Sequence, residues 1–376
     1  MSTRKTSARH VQAVRTVARS TGASHVSTSF GEQWAQAKGW FVSALVWILA
    51  QFVVCSGLIL ASGVRLARYG DIIAEKTGLG GTWVGLVLLA TVTSLPELVT
   101  GASSVILFDL PDIAAVDVIG SCMFNLLILA MLDVRHPVPL SARIHQGHVL
   151  SAAFGIVQLG LIGLALLAGP RAPMIGWVGL HSLVFILLYV FAMRTIFAFE
   201  RGRIADLAEE LTGEVRSSEI TLRRAISLYV AAAAVLVSAA TLLPAIADQL
   251  SRATGLERTF VGTLFVAMST SLPEVVVCIA AARIGALDMA AANLFGSNLF
   301  NVAVLGLDDV MYVRGSLLVA VARSHLFTLV AAIVMTGIAV IGLTYRAQRK
   351  QFRLSWDALA IVAVYVASLA LLARTP

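Results

Sequence analysis

Of the 376 residues, 58% are apolar and only 13% are charged, about half the charged share of a soluble globular domain. With a strongly positive mean hydropathy, this excludes a disordered chain and an ordinary water-soluble enzyme, and leaves room for roughly ten spans of about 20 residues each. The net charge of +7 reads as basic loops on one membrane face and not as nucleic-acid binding.

In chain order, residues 1–39 form a polar, basic tail with Arg4, Lys5, Arg9, Arg15 and Arg19 and no acid before Glu32. It reads either as an organelle transit peptide or as a disordered extension. It is not a secretory signal, because no short apolar run with a cleavage site closes it. Apolar runs follow at 40–64, 82–107, 113–133, 147–169 and 174–195, then a polar stretch rich in Arg and Glu, then runs at 225–247, 259–282, 287–312, 325–345 and 356–373. The expected fold is all-α and membrane-spanning, with ten transmembrane helices: a five-helix half over 40–196, a linker over 197–224, and a second five-helix half over 225–376. Trp40, Trp83, Trp177 and Trp356 stand at span ends, where amphipathic rings favour the interface. Cys55, Cys122 and Cys278 all lie inside apolar runs and form no C-x-x-C, so no disulfide framework is expected.

Ten spans put both termini on one side. Outside the tail, sixteen Lys and Arg fall on the face of the central linker and six on the opposite face. The positive-inside bias therefore places the linker in the cytoplasm and both termini outside, in a cell membrane. The basic tail argues the other way, a conflict that disappears if it is removed on maturation.

The chain contains an internal repeat. Residues 85–97 read GLVLLATVTSLPE and residues 262–274 read GTLFVAMSTSLPE. Downstream, 117–125 read DVIGSCMFN and 293–301 read NLFGSNLFN. The first copy falls in spans 2 and 3 and the second in spans 7 and 8. An odd number of spans separates them, so the copies enter the membrane from opposite faces. Inverted repeats of this kind are a signature of secondary transporters and place the substrate site at the repeat interface.

Among the acids, Glu97, Asp117 and Glu274 lie well inside apolar runs, each within a repeat. A charge at mid-bilayer costs roughly 2.5–3.5 kcal/mol on insertion scales and needs a partner. No Lys or Arg lies deep enough in a span to serve, so the simplest partner is a cation from solution. Ala90, Thr93, Ser94 and Glu97 share one helix face, as do Ala267, Thr270, Ser271 and Glu274. Asp117, Ser121 and Asn125 share another, matched by Asn293, Ser297 and Asn301. Carboxylate, hydroxyl and amide oxygens suit Ca2+ or Na+ and not soft metals. Pro96 and Pro273 add to this by loosening the helix at the carbonyls of Val92 and Ser269. Gly120 and Gly296 permit close helix approach. Taken singly, a membrane Ser or Thr bonds a backbone carbonyl, a Pro kinks a helix, an Asn joins two helices and Asp117 caps one. The two glutamates have no such structural account.

At these residues the chain resembles the cation/calcium exchanger superfamily, in its sodium/calcium exchanger branch, over about residues 40–373. The resemblance implies that Glu97 and Glu274 are the central Ca2+ ligands, aided by the carbonyls of Thr93 and Thr270. It implies Na+ sites built from the carbonyls of Ala90 and Ala267 with Ser94, Ser271, Ser121 and Ser297, the polar diamond being completed by Asn125 and Asn301. Several Na+ would enter for each Ca2+ expelled, by alternating access, with spans 1 and 6 sliding against a fixed core. No cofactor is implied beyond the transported ions, and oligomeric state is left open. The chain departs from the family pattern at Val92 and Ser269 (glycine in the family), at Cys122 (asparagine) and at Asp117 (asparagine). Potassium-dependent members carry an acid at the position of Asn301. Asp117 leaves a proton-coupled divalent-cation antiporter as the alternative. A membrane hydrolase would need an activated nucleophile with a base, which neither repeat contains. A passive channel on the same scaffold is the remaining rival.

Overall fold

The computed structural model describes residues 23–77, 92–134, 136–212, 220–283, 285–350 and 352–374, and these are almost entirely helical. The chain divides into two units, Met1–Ala50 and Gln51–Pro376, and the second carries the site. Helix α1 (Ala23–Thr77) contains an apolar stretch, Ser43–Gly70, long enough to cross a membrane. It begins within the expected tail, whose residues 1–22 lie outside the described residues. Of the expected span 82–107, the first part, including Ala90, also lies outside them. The remainder forms α2 (Leu95–Ile106).

The chain continues through α3 (Pro111–Asp133), α4 (His148–Ala168), α5 (Leu180–Thr212), α6 (Leu222–Thr254), α7 (Arg258–Thr270), α8 (Leu272–Arg283), α9 (Leu287–Met311), α10 (His325–Tyr345) and α11 (Trp356–Leu372). Among the described residues, α1, α3, α4, α5, α6, α9 and α10 are long and apolar enough to span; α7 and α8, bent by 49° at their junction, make an eighth span if counted together, and α2 and α11 are shorter apolar helices. The chain is thus a multi-pass membrane protein.

Two boundaries differ from expectation for local reasons. Residues 174–179 do not begin a span: Met174–Ile175 pairs antiparallel with Val178–Gly179 around Gly176, whose φ of +64° suits a residue without a side chain. Helix α6 runs seven residues beyond the expected end at 247, through Pro244, and stops where Gly255 (φ +73°) turns left-handed and returns its N–H to the Ser251 carbonyl at 2.9 Å.

The helices sort by enclosure. Of its most apolar 18-residue stretch, α3 buries 89% and α9 78%, against 22% for α1 and 17% for α5. The central pair is therefore α3 and α9, and they are packed on each other and on α2, α4, α8 and α10. Leu183, Leu187 and Phe191 on α5 are exposed, as expected of a lipid-facing surface.

Aspartates pin both ends of the central pair. Near the start of α3, Asp112 accepts from the Ala322 N–H at 2.7 Å and lies 3.0 Å from His325 Nε2. Near the start of α9, Asp288 accepts from the His145 N–H at 2.6 Å and lies 3.2 Å from His148 Nε2. At the far ends, Asp133 accepts from the N–H groups of Leu140 and Ser355, both at 2.6 Å, and pairs with Lys350 at 2.8 Å. Asp309 accepts from Leu317 N–H at 2.6 Å, Gly179 N–H at 2.8 Å and Ser182 Oγ at 2.6 Å. Each carboxylate satisfies turn N–H groups, and those held by Asp133 and Asp309 would otherwise be buried without partners. The expectation that only Glu97, Asp117 and Glu274 sit deep is corrected here: Asp133, Asp308 and Asp309 are at most 1% exposed, because packing of neighbouring turns encloses these helix ends.

Replacing Asp133 by Ala strands two buried N–H groups and the Lys350 ammonium, which is 6% exposed. A loss of about 3–5 kcal/mol is expected, the cost of breaking a buried pair from one side. Thermal unfolding in detergent measures it; a melting temperature equal to wild type would refute the pinning role.

Candidate cation site

The two T-S-L-P-E segments fold alike. Ser94 (φ −87°, ψ 11°) and Ser271 (φ −85°, ψ 10°) leave helical geometry at the same point. Each proline then occupies the first turn of the next helix, where its missing N–H is not needed. The break thus falls two residues before each proline, and not at Val92 and Ser269 as the proline clash alone suggests. Before the second break, Gly262–Val266 is a π-helical stretch, a widening common at functional sites. A side chain at Gly262 would put its Cβ 1.9 Å from Val116 Cγ1, so glycine is what seats this stretch against α3.

One turn into α2 and α8 stand Glu97 and Glu274, both fully buried. Their bonds cross between the repeats. Ser271 Oγ donates to Glu97 Oε1 at 2.9 Å, and Ser94 Oγ donates to Glu274 Oε1 at 3.1 Å. Within each repeat, Ser121 reaches Glu97 Oε1 and Ser297 reaches Glu274 Oε1, both at 3.4 Å. The second oxygen of each glutamate, Oε2, has no hydrogen-bond partner among the described residues. Polar groups buried in this way are costly unless something satisfies them.

The stripes on α3 and α9 face this centre. A Cβ on Gly120 would lie 2.8 Å from Ala267 Cβ, and this close approach brings Ser121 Oγ to 3.5 Å from the Ala267 carbonyl and 3.4 Å from Thr270 Oγ1. Thr270 Oγ1 donates to Asp117 Oδ1 at 2.8 Å, and Thr93 Oγ1 donates to Asn293 Oδ1 at 3.5 Å, the same contact in the two copies. Asp117 is fully buried in mid-helix, so it caps no helix start. Asn301 is fully buried on the face of Ser297.

Asn125 Nδ2 donates to Asn298 Oδ1 at 2.9 Å, and Asn298 Nδ2 donates to the Cys122 carbonyl at 3.2 Å. Asn298 is a site-wall residue that motif reading passed over. Its signal was a mismatch inside the G-S-x-x-F-N element, where Cys122 stands in the first copy and Asn298 in the second. One asparagine at this position serves both copies across the interface.

Among the described residues, no three His, Cys, Asp or Glu side chains cluster closely enough to hold a metal by themselves. A cation between Glu97 and Glu274 would therefore complete its shell with serine, threonine and amide oxygens and backbone carbonyls. That donor set fits a hard cation.

A model of the family described as Sodium/calcium exchanger protein matches the chain twice, over residues 47–198 and 224–374. The chain is 35% identical over 119 residues to the Sodium/calcium exchanger MaX1 of Methanosarcina acetivorans, a stretch of 31% of this chain that spans only 32% of that protein. Its fold is similar to a structure of the sodium-calcium exchanger NCX_Mj, with a TM-score of 0.54 at 20% identity over 87% of this chain and 99% of that one. It is similar also to the crystal structure of the H+/Ca2+ exchanger CAX, with a TM-score of 0.62 at 14% identity over 86% of this chain and 85% of that one. At such identities the structural likeness speaks for the fold. The paired family matches cover most of the sequence, and the chain belongs to the sodium/calcium exchanger protein family.

Proposed function

We propose that the protein is a secondary antiporter that exchanges Ca2+ for Na+ across a membrane by alternating access. The observation that carries this reading is the pair of buried glutamates, each bonded by a serine of the other repeat and each keeping one oxygen unpartnered. Two ionised glutamates carry a charge of −2, which one Ca2+ neutralises. Na+ competing for the same oxygens discharges Ca2+ to the opposite side. An empty site leaves desolvated carboxylates, so only the occupied site crosses the apolar gate cheaply, and the fluxes are coupled.

In this reading Glu97, Glu274 and the carbonyls of Thr93 and Thr270 hold Ca2+. The carbonyls of Ala90 and Ala267 with Ser94, Ser271, Ser121 and Ser297 hold Na+. Asn125 and Asn301 close the ring. The spans number ten, with the expected span 82–107, the α7–α8 pair and α11 each counted as one. They form two halves of opposite orientation, a division that the paired family matches support. The linker faces the cytoplasm and both termini lie outside.

The direct test loads proteoliposomes with Na+ and follows radiolabelled Ca2+ uptake in Na+-free medium. Uptake is expected to require internal Na+. Glu97→Gln and Glu274→Gln are each expected to weaken Ca2+ binding by about a hundredfold or more, the factor set by removing ~3 kcal/mol of buried charge pairing. Transport that survives in both variants would sink the glutamate assignment.

Asp117, standing where the second copy has Asn293, favours a second reading in which protons drive Ca2+ exchange. Uptake driven by an acid interior with Na+ replaced by an inert cation would select it. Protons and Ca2+ compete for the glutamates under either reading, so acidic external medium is expected to slow Ca2+ uptake. Equal rates in acidic and alkaline medium would count against a carboxylate site.

The sliding of span 1 has a physical contact to act on. A Cβ on Gly63 of α1 would lie 2.6 Å from Pro273 Cγ, at the break itself. Gly63→Leu is expected to cut the transport rate by about tenfold, equal to roughly 1.4 kcal/mol on the barrier, while Ca2+ binding persists. Wild-type turnover in that variant would show that α1 does not move past Pro273.

A further inference from the structure

Asp308 is a buried acid that the exchange site leaves unused. It lies on α9 seven residues beyond Asn301, on the face that carries Ser297 and Asn301. It is fully buried, and neither Oδ1 nor Oδ2 has a hydrogen-bond partner among the described residues. Its neighbour Asp309 holds three donors, so burial at this helix end does not by itself leave a carboxyl unbonded.

Gly101 admits the carboxyl. It stands one turn beyond Glu97 in α2, and a Cβ there would lie 2.2 Å from Asp308 Oδ2 and 2.7 Å from Oδ1. The acid is thus packed on bare backbone, one turn from the proposed Ca2+ ligand. The elements packed against α9 carry Glu97 on α2, Asp112 and Asp117 on α3, His148 on α4, His181 on α5 and Glu274 on α8. Of these, Glu97 lies one turn from Gly101 and is of like sign. A carboxylate with no hydrogen bond, no cationic partner among the described residues and an acid nearby is far more stable neutral than ionised. The matching position of the first copy is Leu132, so only one half of the molecule has this acid.

We propose that Asp308 is a proton-carrying residue of the transport cycle. Packed against Gly101 it holds its proton. When α6, which packs on α2, slides and water reaches this contact, the O–H bond breaks, the proton passes to water and the electron pair stays on the carboxylate. Closure reverses the step. The proposal rests on the exchange reading, and makes the proton an additional ion moved with each cycle at a place separate from the glutamates.

The test uses the full chain in proteoliposomes with two readouts. Infrared difference spectra in neutral buffer are expected to show a protonated-carboxyl band in wild type that Asp308→Asn lacks. A luminal pH dye, read during Na+-driven Ca2+ uptake, is expected to report proton movement per Ca2+ carried that falls at least severalfold in Asp308→Asn. A band unaffected by the substitution overturns the proposal, and so does a lost band with unchanged proton movement per Ca2+. If wild type carries no Ca2+, the exchange reading fails, and the infrared band still decides whether Asp308 holds a proton. Should Asp308→Asn fail to assemble, Gly101→Ala presses a methyl group onto the carboxyl; a shifted band supports the proposal and an unshifted one overturns it.

Discussion

The constraint on which the rest of this structure depends is the burial of carboxyl groups in a medium that cannot solvate them. Glu97 and Glu274 sit in the helical centre of a membrane protein, with no hydrogen-bond partner for one oxygen of each among the described residues. Hydrocarbon offers nothing to such a group, and only protein dipoles, protons or bound cations can stabilise it. The breaks at Ser94 and Ser271 answer part of that demand. Each break delivers a serine hydroxyl to the glutamate of the other repeat. Neither half can build this centre alone.

The same exchange between halves recurs further out. Asp112 and Asp288 each bond a turn and a histidine contributed by the other half, with His325 and His148 in corresponding roles. Asp133 and Asp309 secure the opposite ends of the same two helices. A scaffold held in this way can keep α3 and α9 fixed while peripheral helices shift. Gly63 against Pro273 is a contact of the latter kind, a smooth surface at the point where a span is broken. Rigid core and slidable rim are what the proposed alternating access demands.

The departures from two-fold repetition carry their own meaning. Asp117 faces Thr270 where Asn293 faces Thr93, and Asp308 is matched by Leu132. Cys122 and Asn298 occupy one motif position in the two copies, and the single asparagine side chain spans the interface that both copies share. The repeated motifs are thus alike in their cross-bonds and unlike in their charge.

By itself the sequence determined the helical membrane class, the repeat and the identity of the central glutamates. Those properties depend on composition, on spacing along one helix face and on the high cost of an acid inside an apolar run, all of which are local. The limits of α3, α9 and α10 were legible within a few residues for the same reason. Only the tertiary structure decided which oxygens meet. Ser271 bonds Glu97 and Asn298 bonds Asn125 across more than 170 residues of chain, and no periodicity encodes a partner at that distance. It also decided the standing of Asp133, Asp308 and Asp309, which look in sequence like acids at span ends exposed to water. Packing of the neighbouring turns removes that water, leaving two of them bonded to turn N–H groups and the third against the bare backbone of Gly101.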